Sequence, residues 1–198
     1  MSPRRLVQAG IALSVASVVA LLIPFGMEDG SGFQALDDYC IVAPAFPYDP
    51  ASGLERFAAR PVPEEARCPV CGMFPARFPR WAAQAIYRDG AAQFFDSPVN
   101  LHVFLGDVDR YSTGYGPEDV VITFVTDVMT GNWTDAASAS YVHGSNALGP
   151  MREGNLPAFT EREAAERFAS ERGGVVLSVD EITTEILESM TRSVHHHH

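Results

Sequence analysis

The sequence contains no lysine; all fourteen of its basic residues are arginine. Chemistry that depends on a lysine amine, such as Schiff-base formation or the phosphate-binding lysine of a P-loop, is thereby excluded. Cysteine is nearly as scarce, with three residues in 198. Of six histidines, four form the terminal run at 195–198, which reads as a purification tag, leaving His102 and His143. A conventional zinc site takes four cysteine or histidine ligands, commonly two Cys-x-x-Cys pairs, so a chain with one such pair has to use an unusual set. Positive charge is also in deficit. A formal charge of −11 repels nucleic acid and anionic membrane surfaces, so neither is expected as a partner through electrostatics.

One long apolar run is present. Arg4 and Arg5 precede residues 6–25, which are almost wholly apolar and as a helix of about twenty residues span the roughly 30 Å hydrocarbon core of a bilayer. The positive flank predicts a cytoplasmic N-terminus, with everything after Gly26 outside the cytoplasm. A cleaved signal peptide is the alternative, but the run is not followed by a convincing A-x-A site. Cys40 lies too far downstream to serve as a lipid-attachment residue. Residues 1–26 are therefore read as an inner-membrane anchor or uncleaved signal, and 27–66, rich in Gly, Pro, Ala and Asp, as a flexible tether. Within the tether only 53–60 carries a helix signal.

The remainder, 67–192, reads as an α+β domain built from two packed ββαβ units. In the first, strands at 82–87 and 91–95 flank the turn Arg88-Asp89-Gly90. Ser97 and Pro98 then open a helix as cap and first residue, with Leu101, Phe104 and Leu105 on its apolar face. The β-rich run 120–127 follows as a central strand. In the second unit, 133–137 and 138–143 are expected as short strands. After a long loop, Thr160 and Glu163 form a capping box for a helix that Gly173-Gly174 ends, and 175–179 is the matching strand. Phe95 and Phe104 are nine residues apart, as are Phe159 and Phe168, each pair bracketing a helix. A terminal helix over 180–190 closes the chain.

The candidate ligands fall in two places. "RCPVCGMF", residues 67–74, carries Cys68, Cys71 and Met73. The loop of the second unit carries Met151, with His143 at its entrance; a loop of that length in a compact domain is more often functional than idle. Thiolate and thioether sulfur together select a soft metal such as Cu(I), whereas thioether is a poor zinc ligand. A structural disulfide between Cys68 and Cys71 remains open, since thiols outside the cytoplasm tend to be oxidised. Thiol-disulfide exchange needs only the pair, but the helix that usually follows a redox Cys-x-x-Cys is contradicted by Pro75 and Pro79. Among the other residues, His102 reads as ordinary, Asp96 as a helix cap, Trp81 and Trp133 as core or rim aromatics, and Cys40 has no assignable role.

"CPVCGMF", "YRDGAAQFFDS", "TDVMTGNWTDAASASYV", "GSNALGPM" and "AFTEREAAERFASERGGVVLSVDEIT" occur in this order, and together the chain resembles the NosL family of nitrous oxide reductase accessory proteins. The resemblance implies a periplasmic, membrane-tethered metallochaperone with no catalytic residues. It would bind Cu(I) and pass it on for the copper centres of nitrous oxide reductase or a related cuproenzyme, working with an ABC-type membrane complex. It also implies two ββαβ units, as in organomercurial lyase, and copper-binding positions at Cys68, Cys71, Met73 and Met151, to which the residues themselves add His143. The family is usually anchored by a lipidated cysteine, and this chain carries a hydrophobic run instead. Two other readings stay open: a periplasmic thiol-disulfide oxidoreductase, and an accessory structural subunit of a membrane respiratory complex.

Overall fold

The computed structural model describes residues 43–150, 152 and 155–192. The expected anchor at 1–26, Cys40, Met151 and the tag lie outside the described residues. Among those described, no helix is long and apolar enough to cross a membrane.

Two antiparallel sheets carry the domain. The first hairpin is β1 (Ala83–Tyr87) and β2 (Ala92–Phe95), with Ala83 opposite Phe95. Its turn needs glycine: Gly90 has φ +90°, and a Cβ there would sit 2.7 Å from the Arg56 side chain. Ser97 caps α1 (Pro98–Gly106) as expected, its Oγ accepting the Asn100 N–H at 3.3 Å. A short α2 (Val108–Tyr111) follows, and β3 (Val120–Thr126) returns antiparallel beside β1.

The second half repeats this path with β5 (Ser140–His143), β6 (Ala158–Phe159), α3 (Arg162–Arg172) and β7 (Val175–Leu177). In both units the first strand lies in the middle, giving the orders β2-β1-β3 and β6-β5-β7. The two phenylalanine pairs are in ring contact at nearly the same geometry. Phe95 and Phe104 lie 4.9 Å apart at 52°, and Phe159 and Phe168 lie 5.0 Å apart at 57°. Each pair fastens a helix onto its sheet.

Several expectations are corrected. The strand expected at 133–137 forms as β4 (Trp133–Asp135), but it joins the first sheet beside β3. The cause is the preceding turn: Asp127 Oδ1 accepts the backbone N–H groups of Met129 and Thr130, both at 2.9 Å, and folds the chain straight back. The second hairpin strand of unit two is therefore Ala158–Phe159, and the long loop lies between β5 and β6 rather than between strand and helix. The capping box at Thr160 does not form. The cap position is Glu161, and the Thr160 N–H goes instead to Asp127 Oδ2 at 2.8 Å. At the end of the chain a 3-10 turn, Val179–Glu181, precedes α4 (Thr184–Arg192), which packs on α1 through Ile186, Leu187 and Met190.

Residues 43–66 have little regular structure, as expected of a tether, yet they are fastened to the domain. Phe46 exchanges both backbone hydrogen bonds with Ala92 at 2.8 Å. Phe46, Val62 and Ala66 cover one face of the hairpin at Ile86, Ala92 and Phe94, while α1 covers the other. This is why β1 and β2 are buried at every position. Two glutamines in that buried hairpin are satisfied by the same segment: Gln84 bonds the N–H and C=O of Arg60, and Gln93 donates to the Ala43 carbonyl. The helix expected at 53–60 is replaced by turns, because Gly53 adopts φ +76° directly after a 3-10 turn.

Candidate metal centre

The Cys-x-x-Cys segment closes on itself. The Cys68 N–H donates to the Met73 carbonyl at 2.9 Å, and the Gly72 N–H donates to the Cys68 carbonyl at 2.8 Å. Closure requires the left-handed conformation of Gly72, φ +76°. Val70 and Cys71 rest on the main core, which includes Cys68 itself. The Cys68 side chain is sealed from solvent, Cys71 is half-buried, and both thiols are free.

The junction of β2 and α1 supplies the rest. Because Ser97 caps the helix, Asp96 does not, and its fully buried carboxylate turns towards the cysteine loop. The Cys71 thiol donates to Asp96 Oδ1 at 3.2 Å. Asn100, one helical turn along, donates from Nδ2 to Asp96 Oδ1 at 2.7 Å and lies 3.2 Å from Cys71 Sγ. One ligand atom each from Cys68, Cys71 and Asp96 lies within 4.8 Å of the others. Asp96 Oδ2 is buried with no partner among the described residues. Buried carboxylate oxygens are almost always satisfied, so an unpartnered one beside two thiols leaves an acceptor position that a cation could take.

Burial pushes the Cys68 thiol well above its ordinary pKa, with the Cys71 hydrogen bond and the Asp96 charge adding to the rise. Cys68 is therefore protonated in the metal-free protein at neutral pH, and a metal has to displace that proton. Downstream of Cys71 the chain forms a 3-10 turn, Pro75–Arg77. The α-helix that usually follows a redox Cys-x-x-Cys and lowers the thiol pKa is therefore replaced in this segment by a single short turn.

Met73 follows Cys71 by two residues and is half-buried. His143 ends β5, half-buried, with Nδ1 buried and without a partner among the described residues, where it is not part of the three-donor group. The long loop approaches the region that follows the cysteines, with Gly149 against the Trp81 ring. His102 lies on α1 in a T-shaped contact with Tyr141, centroids 5.3 Å apart. Asp96 and Asn100 stand beside the cysteines although neither is expected there from the sequence. The available signal was the run Asp96-Ser97-Pro98: serine already fills the cap, which leaves the aspartate without a structural task, and Asn100 stands at the i+4 position from it.

The chain is similar to known proteins along most of the described domain. The sequence model of the NosL family matches residues 59–187. The copper-binding lipoprotein NosL of Stutzerimonas stutzeri is 30% identical over 129 residues, covering 65% of this chain and 67% of that protein. The crystal structure of the copper chaperone NosL from Shewanella denitrificans superposes with a TM-score of 0.56 at 25% identity, covering 65% of this chain and 97% of that one.

Proposed function

The chain belongs to the NosL family, and from that premise we propose that it is a Cu(I)-binding metallochaperone rather than an enzyme. The observation that carries the reading is the group of buried Cys68, half-buried Cys71 and buried Asp96, with one carboxylate oxygen left without a partner among the described residues. Two sulfur donors match a soft monovalent ion. The copper is cargo: Cys68 and Cys71 hold it as thiolates, and Met73, Met151 and His143 are the further candidates for its coordination. Loading releases thiol protons, so affinity rises with pH. Cys71 is half-buried where Cys68 is sealed, which gives an incoming ligand one sulfur to approach. The acceptor would be a cuproenzyme, nitrous oxide reductase by family, reached with an ABC-type membrane complex. Residues 1–26 would hold the domain at the inner membrane on the periplasmic side.

Titration of the reduced protein with Cu(I) against a competing chelator tests this. Cys68→Ala and Cys71→Ala should each weaken binding by more than the roughly 10–100-fold typical of a residue that only supports a ligand. Asp96→Asn should fall within that range if the carboxylate orients Cys71, and beyond it if it touches the metal. Met73→Ala, Met151→Ala and His143→Ala sort the remaining donors. Unchanged affinity in both cysteine variants would remove the assignment.

A further inference from the structure

The segment carrying the cysteines has a charge opposite to that of the chain. Between residues 66 and 88 there are four arginines and no acidic residue, in a protein with 25 acidic side chains. Arg67 and Arg77 both lie over the ring of Phe74, with guanidinium carbons 4.2 Å and 4.7 Å from its centroid. Two like charges thus share one aromatic ring, no farther apart than the sum of those distances and within the roughly 10 Å Debye length at 0.1 M salt. Both are exposed, and neither forms an ion pair with any carboxylate of the described residues. Arg67 also donates to the Gly72 carbonyl at 3.2 Å, inside the cysteine loop, so its position is tied to the metal segment. Arg80, exposed as well, gives its hydrogen bonds to the neutral carbonyls of Val128 and Met129.

We propose that Arg67, Phe74 and Arg77 form the docking surface for an acidic segment of the protein that exchanges copper with this chain. This rests on the copper-carrier reading above. A chain at −11 repels acidic partners at long range, so an unneutralised cationic pair beside the exchange site selects both the partner and its orientation. The guanidinium fork matches carboxylates in pairs, and stacking on Phe74 pre-orders it, reducing the entropy lost on docking. An anionic lipid surface fits less well, because the whole domain would have to approach a negative plane against its own charge.

The test uses the full metal-free chain and a fluorescein-labelled Gly-Met-Gly peptide flanked on each side by four glutamates, with an arginine-flanked peptide as control. Fluorescence anisotropy at low salt should show binding of the glutamate peptide that weakens about tenfold in Arg77→Glu, further in Arg67→Glu/Arg77→Glu, and similarly on adding salt. Arg77 makes no side-chain hydrogen bond to the described residues, so the single variant carries the test if the double one fails to fold. Equal binding by wild type and Arg77→Glu, or equal binding of both peptides, overturns the proposal. Vesicles of phosphatidylglycerol that bind wild type but not Arg77→Glu also overturn it, by assigning the patch to lipid. Because no copper is present, loss of peptide selectivity is distinguishable from loss of Cu(I) affinity, which the chelator titration reads separately.

Discussion

His102 should make the protein acid-sensitive in a defined window. Its side chain sits on α1 at 9% exposure, and Nε2 is buried without a partner among the described residues. Burial lowers its pKa from 6.5 to about 4, because a charged imidazole there would lose its hydration and gain no acceptor. The unfolded chain binds the proton near pH 6.5, whereas the folded chain resists until about 4. The resulting stability is fully present above pH 6.5 and is lost as pH falls towards 4. At 1.36 kcal/mol per pKa unit, this depression corresponds to about 3 kcal/mol, a large part of a typical domain's 5–15 kcal/mol. Urea unfolding of wild type and His102→Gln from pH 7.5 to 4 should give curves that differ by about that amount across the window, the variant losing less. Asp127 adds little there. Burial raises its pKa, but the N–H donors of Thr160, Thr130 and Met129 outweigh this and hold it below the ordinary carboxylate value. Identical pH dependence in the two proteins would refute the reasoning.

Two further predictions concern backbone devices. Asp127→Ala removes the acceptor for three backbone N–H groups at 2.8–2.9 Å, and since hydrogen bonds to a charged group contribute about 1.5–3 kcal/mol each before water substitutes, a loss of about 3 kcal/mol in denaturant unfolding is expected, with Asp127→Asn recovering part of it. Gly72→Ala forces an L-residue into the left-handed region at φ +76°; it should cost about 1–2 kcal/mol in stability and weaken Cu(I) binding as well, whereas a stability loss with unchanged copper affinity would separate the loop closure from the metal site.

What the sequence by itself determined lies within single elements. The hairpin of β1 and β2, the Ser97-Pro98 helix start, the strand at 120–127 and the stop at Gly173 are read from alternation, caps and glycine, and these preferences act over a few residues. The repeated phenylalanine spacing also survived, because helix and strand geometry turn a fixed separation into a fixed contact. That no α-helix directly follows Cys71 was legible from Pro75 and Pro79 for the same reason. Tertiary structure alone decided which sheet Trp133–Asp135 would join, since an edge strand's partner depends on where the preceding turn sends it. It also created a strand from Ala158 and Phe159, two residues with no periodicity of their own, by placing them between β5 and the Val128 N–H. Residues 43–66 looked like free tether because their apolar side chains are sparse; they settle on the domain because the hairpin has a second apolar face to cover. Asp96 is the sharpest case: its neighbours fixed the helix start, but only the approach of a loop 25 residues earlier in the chain turned a plain aspartate into a buried carboxylate beside two thiols, because burial and partner are properties of the folded packing and not of the local sequence.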